Sequence, residues 1–280
     1  DNFDPYYDRK LKEINVGFYK DEPNYTFYEA DIRKMSDLNA IKEDFDTVIH
    51  IAAKAGVRPS IEDPDGYIAT NIGGTQNILN LMKDRGVNKL LFASSSSVYG
   101  NNRKIPFSED DPVDYPISPY AFSKKANELM IHTFHHLYGI DAICMRFFTV
   151  YGPRQRPDLA IRKFVTLIDN GHPIQMYGDG STARDYTFVE DTVSGIVKAM
   201  DYVVGNEKVY EVLNFGNNTP VKLHELISTI YDLLGKEPNI EQLGMQPGDV
   251  DITYADISKA KALLDYEPQI DIRTGLKRFI

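Results

Sequence analysis

Three polar side chains in the first half of the sequence have the types and the spacing needed to move a proton. Ser95 stands in the serine run Ser94–Ser97, directly after an apolar segment, and Tyr120 and Lys124 follow further along the chain. A tyrosine and a lysine four residues apart share one face of a helix. A hydroxyl at a strand end, a phenol and a nearby ammonium can together transfer the proton of an alcohol while its carbon exchanges a hydride.

The residue types give each group a role. A phenol, with a pKa near 10, is a poor base at neutral pH, but a neighbouring ammonium lowers that pKa by favouring the phenolate. Tyr120 is therefore predicted to take the proton of a sugar hydroxyl and Ser95 to align that hydroxyl. The competing interpretation makes Tyr120 a helix-start aromatic, Lys124 a solvated charge and the serines a loop. A second pair with the same spacing, Tyr6 and Lys10, has no serine run before it and is interpreted as chance.

Strand and helix patterns alternate around these residues. Helical patterns cover Ile68–Arg85 and Ser118–Tyr138, and the second has Ser118 as cap, Pro119 at the first helical position and Gly139 at its end. The segments with strand composition are Tyr25–Ala30, Thr47–Ala52, Lys89–Ser94 and Ala142–Phe148. This alternation predicts an α/β fold with a doubly wound, parallel, Rossmann-like sheet, whose ligands bind at the carboxyl ends of the strands.

The second half of the chain indicates a smaller lobe that follows Tyr151-Gly152-Pro153, where Pro and Gly punctuate the sequence. A helix at Val189–Tyr202 and a strand at Val209–Gly216 are predicted to return to the sheet. Helices at Leu223–Leu234 and Ser258–Leu264 are assigned to the outer lobe. The predicted division is a sheet domain at 1–151 and about 185–216 and a C-terminal substrate-binding lobe at about 152–184 and 217–280.

Composition excludes several classes of protein. A net charge of −10 and a pI near 5.1 argue against a nucleic-acid-binding protein. No apolar run approaches the roughly 18 residues of a membrane helix, and no signal peptide is visible. The single cysteine, Cys144, permits no disulfide within the chain and suits a reducing cytoplasm. His50 is interpreted as a core residue, and no His, Cys and Asp spacing indicates a metal site.

Taken together, the motifs resemble the extended branch of the short-chain dehydrogenase/reductase superfamily, and within it the nucleotide-sugar 4-epimerases. The region around Thr149 and Arg154–Asp158 is most similar to UDP-glucuronate 4-epimerases. The segments that carry the resemblance, in chain order, are Asp1-Asn2, Glu29–Arg33, His50–Ala53, Thr70–Thr75, Ser94–Gly100, Tyr120–Lys124, Arg146–Pro153, Arg184–Val189 and Gln246–Asp249.

The resemblance implies a tightly bound NAD that is reduced and reoxidised in each turnover. Asp1, with Asn2 beside it, would hold the adenosine ribose, and Lys124 would also bond the nicotinamide ribose next to Tyr120. The remaining residues that the resemblance places around the cofactor are Asp31 and Ile32 at the adenine, Ala52 and Ala53 at the pyrophosphate, Thr70, and Phe147.

The resemblance also implies how the substrate is held. Thr149 and Arg156 would bind a sugar carboxylate, because a guanidinium suits planar oxyanions. Arg184 would meet the diphosphate. Gln246 and Asp249 would bind the nucleotide, although related enzymes often have an arginine where Gln246 stands.

Two serines favour epimerisation over dehydration. Ser96 and Ser97 occupy places where sugar dehydratases of the superfamily carry acidic residues, and serines cannot supply that acid and base pair. The expected reaction is C4 epimerisation of UDP-glucuronate to UDP-galacturonate through a 4-keto intermediate. The alternatives are a UDP-glucose or UDP-N-acetylglucosamine 4-epimerase, a UDP-glucuronate decarboxylase, a net NAD(P)H-dependent reductase and a non-catalytic sugar-nucleotide-binding protein. The family further implies a homodimer formed through helices Ile68–Arg85 and Ser118–Tyr138.

The beginning of the sequence departs from the family pattern. The chain starts at Asp1, and neither a first strand nor a glycine-rich phosphate turn occurs in it. We therefore expect about thirty further residues in front of Asp1 in the biological protein.

Overall fold

A computed structural model of the chain describes residues 1–244 and 252–280. The chain forms two compact units, each built from several segments. Unit 1 comprises Asp1–Val98, Tyr115–Cys144 and Val203–Glu211. Unit 2 comprises Tyr99–Asp114, Met145–Tyr202 and Val212–Ile280.

Helices and strands alternate along much of the chain. The helices are α1 (Arg9–Gly17), α2 (Met35–Asn39), α3 (Val57–Glu62), α4 (Pro64–Tyr67), α5 (Gly74–Arg85), α6 (Pro119–Tyr138), α7 (Ala160–Asp169), α8 (Val189–Gly205), α9 (Leu223–Leu234), α10 (Ser258–Leu264) and α11 (Ile272–Phe279). The strands are β1 (Thr47–His50), β2 (Lys89–Ser95), β3 (Asp141–Phe147), β4 (Thr149–Tyr151), β5 (Ile174–Tyr177), β6 (Ala183–Phe188), β7 (Tyr210–Phe215), β8 (Pro220–Lys222), β9 (Ile240–Leu243) and β10 (Ile252–Thr253).

Unit 1 contains β1 and β2 and the first residues of β3 and β7. These four strands form one sheet and are hydrogen-bonded in the order β1-β2-β3-β7. β1 and β2 run parallel, and His50 is paired with Phe92. Leu90 and Leu91 of β2 are fully buried, as expected for a parallel strand that is covered on both faces. The α/β class with parallel strands is therefore confirmed.

Helix α6 begins and ends where its sequence predicts. The Ser118 hydroxyl accepts a hydrogen bond from the Ala121 N–H, and Pro119 occupies the first turn, where its missing N–H costs nothing. Gly139 ends the helix with a φ of 67°, a left-handed conformation that glycine adopts without strain. Ser118 and Pro119 thus fix the start of the helix next to Tyr120.

Two expectations for unit 1 were wrong in detail. Tyr25–Ala30 is not a strand, because its backbone pairs with the chain start instead of a sheet: the Ala30 N–H donates to the Asp1 carbonyl. The helix expected at Ile68–Arg85 starts as a π-helical turn, Ile68–Gly73, and becomes α-helical only in α5. Such wide turns often occur at functional sites.

Unit 2 contains two small sheets. β10, β6 and β4 are hydrogen-bonded in that order, with β8 antiparallel to β6, and β5 pairs with β9 in parallel. α7, α9 and α11 pack against a buried core that includes Tyr151 and Phe188. A Cβ on Gly275 of α11 would lie 2.0 Å from the Tyr151 hydroxyl oxygen, so a side chain at that position would push the helix off its core. The helices predicted at Leu223–Leu234 and Ser258–Leu264 are confirmed.

Two further sequence expectations can be compared with the described residues. Cys144 is a buried free thiol. Among residues 1–244 and 252–280, no helix is both long enough and apolar enough to span a bilayer.

Candidate active site

Tyr120 and Lys124 occupy successive turns at the start of α6, in unit 1. The Lys124 side chain is buried, and its Nζ lies 5.9 Å from the centre of the Tyr120 ring and 5.0 Å from that of Phe92. Nζ donates a hydrogen bond of 2.6 Å to the Ala93 carbonyl oxygen. The ammonium is thus held beside the phenol by the strand that leads to Ser95.

Burial changes the acidity of Lys124. The side chain has lost its water, and this desolvation lowers its pKa from 10.5 to about 8. An ammonium has three N–H donors, and the bond to Ala93 uses one of them. Lys124 is therefore a cation near neutral pH that retains donors for a further oxygen.

The Ser95 hydroxyl is oriented by its own loop. The backbone N–H and the hydroxyl of Ser97 both donate to Ser95 Oγ, at 3.2 and 2.9 Å. Because the oxygen accepts both bonds, its own O–H remains to be donated elsewhere. Ser95 closes β2 and is followed directly by the single 3-10 turn Ser96–Tyr99.

A buried polar network supports the first turn of α6, and the sequence did not reveal it. Asn71, in the π-helical turn, donates to the Ser123 hydroxyl at 3.0 Å and binds both the N–H and the carbonyl of Lys54. Ser123 in turn donates to the Tyr120 carbonyl at 2.8 Å. These contacts join the segment that follows β1, the π-helical turn and the start of α6. The only signal in the sequence was the position of Asn71 within the segment Thr70–Thr75, which carries part of the family resemblance.

His50 is a hydrogen-bonded core residue, as the sequence predicted. Its Nε2 lies 2.9 Å from the Thr75 hydroxyl oxygen, and that hydroxyl donates its own proton to the Asn71 carbonyl. His50 must therefore carry its proton on Nε2 and donate it. Burial, with a smaller contribution from the Lys124 charge, lowers the pKa of His50 from 6.5 to about 3.

This histidine is expected to make the folded chain acid-sensitive. The unfolded chain binds a proton at His50 below pH 6.5 and the folded chain only near pH 3, so stability falls as the pH drops between these values. Between pH 7 and 4.5 the contribution is about 2–3 kcal/mol. His50→Gln keeps a donor for Thr75 but has no side chain that titrates in this range. Between pH 7 and 4.5 its free energy of unfolding should therefore fall by about 2–3 kcal/mol less than that of the wild type. Urea unfolding at both pH values measures the difference, and equal losses would contradict the assignment.

The residues expected at the adenine are held close together in unit 1. Asp31 accepts hydrogen bonds from the Arg33 guanidinium, which together with the Asn2 amide keeps the pKa of its carboxyl well below its ordinary value. The Ile32 carbonyl accepts from Asn77 of α5. A Cβ on Gly74 would lie 2.5 Å from the Ile32 side chain, so α5 can approach this segment only with glycine there.

The other expected cofactor residues in unit 1 lie after strand ends or in turns. Ala52 and Ala53 follow β1, and Ala52 is exposed. Thr70 is half-buried in the π-helical turn, and Asp1 is exposed, with its carboxylate accepting from the Phe3 N–H. Small residues after a parallel strand leave the backbone open to a diphosphate, and carboxylates suit ribose hydroxyls. With the spare donors of Lys124, this set fits a dinucleotide.

Unit 2 contains Thr149, Arg156 and Arg184, which are expected to bind substrate, and Phe147, which is expected at the cofactor. Thr149 is exposed at the start of β4, and half-buried Phe147 packs edge-on against Phe215 at 5.9 Å. Arg156 forms two hydrogen bonds of 2.9 Å with the Asp158 carboxylate. Arg184 is half-buried in β6 and donates to the Ala183 carbonyl at 3.0 Å. The two remaining candidates, Gln246 and Asp249, lie outside the described residues.

No group of three or more His, Cys, Asp or Glu side chains suited to a metal ion occurs in the part of the chain that the structure describes.

The buried Lys124 beside Tyr120, held by the parallel strand that ends at Ser95, is the arrangement expected of a Rossmann-like protein of the extended short-chain dehydrogenase/reductase class. The chain belongs to the GDP-mannose 4,6-dehydratase family, whose model matches residues 6–279. It is 44% identical to a UDP-glucuronate 4-epimerase of Thermodesulfobacterium geofontis over 100% of this chain and 86% of that protein.

Solved structures agree with this assignment. A UDP-glucuronic acid 4-epimerase from Bacillus cereus, in complex with UDP-glucuronic acid and NAD, superposes with a TM-score of 0.88 at 34% identity, over 96% of this chain and 84% of that one. A UDP-N-acetylglucosamine 4-epimerase from Methanobrevibacter ruminantium, in complex with UDP-N-acetylmuramic acid, superposes with a TM-score of 0.83 at 29% identity, over 92% and 84% of the two chains.

Proposed function

We propose that the protein is an NAD-dependent isomerase that epimerises C4 of UDP-glucuronate to give UDP-galacturonate. The observation that carries this proposal is the buried Lys124 ammonium, 5.9 Å from the centre of the Tyr120 ring, in the unit that also presents the Ser95 hydroxyl. The similarity to UDP-glucuronate 4-epimerases supports the choice of substrate.

Tyr120 is the base and acid of this reaction. The positive charge of Lys124 stabilises a phenolate, which takes the proton of the 4-hydroxyl as C4 is oxidised and returns it when C4 is reduced. Ser95, whose O–H is left free to donate, holds the same oxygen. NAD, when bound, would supply the acceptor of the C4 hydride and, once reduced, the hydride that restores C4.

The cofactor contacts follow from the residues in place. Asp1, Asn2, Asp31 and Ile32 would hold its adenosine end, and Lys124 would bond its nicotinamide ribose beside Tyr120. The residues that would complete the site are Ala52, Ala53, Thr70 and Phe147.

The carboxylate of the sugar places a special demand on the enzyme. A 4-keto glucuronate is a β-keto acid and loses carbon dioxide if its carboxylate stands perpendicular to the carbonyl plane. An epimerase must therefore hold that group, and we assign this to Thr149 and Arg156, with Arg184 at the diphosphate and Gln246 and Asp249 at the nucleotide. Ser96 and Ser97 provide no acid and base pair for eliminating water, which separates this chain from the dehydratases.

Removing the Arg156 guanidinium is expected to reduce kcat/KM for UDP-glucuronate by about 10- to 100-fold, because a forked, charge-assisted contact to the carboxylate is lost. Arg156→Lys should recover only part of this loss, since an ammonium cannot form the fork. Arg154→Met, two residues away, is the matched control. Steady-state kinetics of Arg156→Met measure the effect, and an unchanged kcat/KM would refute the assignment.

Product analysis separates the candidate functions. The full-length protein should convert UDP-glucuronate to UDP-galacturonate with no net change in nicotinamide absorbance. A UDP-xylose product would identify a decarboxylase. A stoichiometric change in nicotinamide absorbance would identify a reductase. The similarity to a UDP-N-acetylglucosamine 4-epimerase makes UDP-N-acetylglucosamine and UDP-glucose the necessary competing substrates. No bound nicotinamide and no conversion would indicate a binding protein without activity.

We also propose that the protein forms a homodimer and that it is located in the cytoplasm. Helix α6 exposes apolar side chains, among them Phe122, Leu129 and Leu137, on a surface where a second α6 could pack. The solution mass of the full-length protein tests the dimer.

A further inference from the structure

Two neighbouring contacts attach α6 to the end of β2. Lys124 Nζ donates to the Ala93 carbonyl at 2.6 Å, and the Ser94 hydroxyl donates to Glu128 Oε1 at 2.7 Å. Lys124 and Glu128 are one helical turn apart on the same face, and Ala93 and Ser94 are consecutive in the strand. The helix therefore cannot slide along the strand by one residue without breaking both contacts.

Glu128 lies in the interior of unit 1. Its side chain is 1% exposed and that of Ser94 is 3% exposed. The second carboxylate oxygen lies 3.5 Å from Lys125 Nζ, and the Tyr210 hydroxyl donates to the Glu128 backbone carbonyl. A buried carboxylate is costly, and an apolar residue of similar volume would pack there at lower cost. A gain in stability therefore does not explain Glu128, whereas a directional bond to Ser94 does.

We propose that Glu128 and Ser94 are positioning residues of the epimerisation, and that their hydrogen bond sets the distance between the Ser95 hydroxyl and the Tyr120 phenol. Ser95 follows Ser94 in the chain, and Tyr120 lies two turns before Glu128 in α6. Both reacting side chains must reach one sugar oxygen, and a misplacement of about 1 Å can reduce the rate about 10²-fold. This inference rests on the proposed function.

The variant Ser94→Ala removes one oxygen atom from the contact. In the NAD-loaded, full-length protein we expect kcat for UDP-glucuronate to fall about 10- to 100-fold while KM changes less than about threefold. Glu128→Gln retains an acceptor for Ser94 and should keep kcat within about threefold of the wild type. The double variant S94A/E128Q lacks both the hydroxyl and the buried charge, and it should be as slow as Ser94→Ala even if the single variant folds poorly.

Ser60→Ala is the matched control, because Ser60 is a buried serine of the same unit whose hydroxyl donates to the Val57 carbonyl. Folded Ser94→Ala or S94A/E128Q protein with wild-type kcat would overturn the proposal, as would a loss of the same size in Ser60→Ala. Wild-type protein that converts no UDP-glucuronate would contradict the proposed function instead. The positioning role is then tested by crystal structures, in which Ser94→Ala should show Ser95 displaced from Tyr120 and an unchanged distance would refute it.

Discussion

Tyr120→Phe is expected to reduce kcat for UDP-glucuronate by about 10³- to 10⁴-fold, the largest effect of any single substitution considered. The change removes only the phenol oxygen, and with it the group that takes and returns the proton of the 4-hydroxyl. The aromatic ring and its edge-on contact with Tyr67 at 6.2 Å are retained. Steady-state conversion of UDP-glucuronate measures the loss, and the thermal midpoint should stay near that of the wild type.

The chain provides its own control for this variant. Tyr6 and Lys10 have the same spacing, but Tyr6 lies before α1 while Lys10 lies within it. Tyr6→Phe should leave kcat unchanged. A Tyr120→Phe enzyme that retains more than a tenth of the wild-type kcat would show that another group carries the proton.

Lys124→Met is expected to reduce kcat by about 10²- to 10³-fold, because the charge that stabilises the phenolate is lost. The free energy of unfolding should change little. Burial lowers the pKa of Lys124 to about 8, so holding this ammonium in the interior at pH 7 costs about 3 kcal/mol, which methionine does not incur. The loss of the donor to the Ala93 carbonyl offsets part of that gain. Lys10→Met is the matched control.

The same pKa predicts how the activity depends on pH. Lys124 is charged below its pKa and neutral above it, so the charge-dependent part of kcat/KM is present below about pH 8 and lost as the pH rises further. The wild-type profile should therefore decline above about pH 8, and the profile of Lys124→Met should lack this decline. A wild-type profile that remains level to pH 9.5 would contradict the role of this charge.

Local signals in the sequence were enough to predict the elements that carry the catalytic residues. Ser118, Pro119 and Gly139 determine the ends of α6 through bonds within a few residues, so their effect is visible in the sequence. The continuous apolar run before Ser95 likewise identifies β2 as a buried parallel strand.

Contacts between distant residues could not be predicted in this way. Asn71 is hydrogen-bonded to Ser123, and Ser94 to Glu128, and the residues of each pair are far apart in the sequence. No local pattern around one residue of a pair therefore predicts the other. A glutamate four residues after Lys124 was the one available hint, because that spacing places both side chains on the face of α6 toward β2. Tyr25–Ala30 has strand composition, but its partner is the chain start, which no local pattern reveals.

The fate of the hydrogen on C4 tests the central claim most directly. The NAD-loaded, full-length protein would be incubated with UDP-glucuronate that carries deuterium at C4, and the products would be separated and analysed by mass spectrometry and NMR. Oxidation and reduction at the same carbon predict UDP-galacturonate that retains the deuterium at C4, with no net reduced nicotinamide. Loss of the deuterium to solvent, or a product without the carboxylate, would contradict this account.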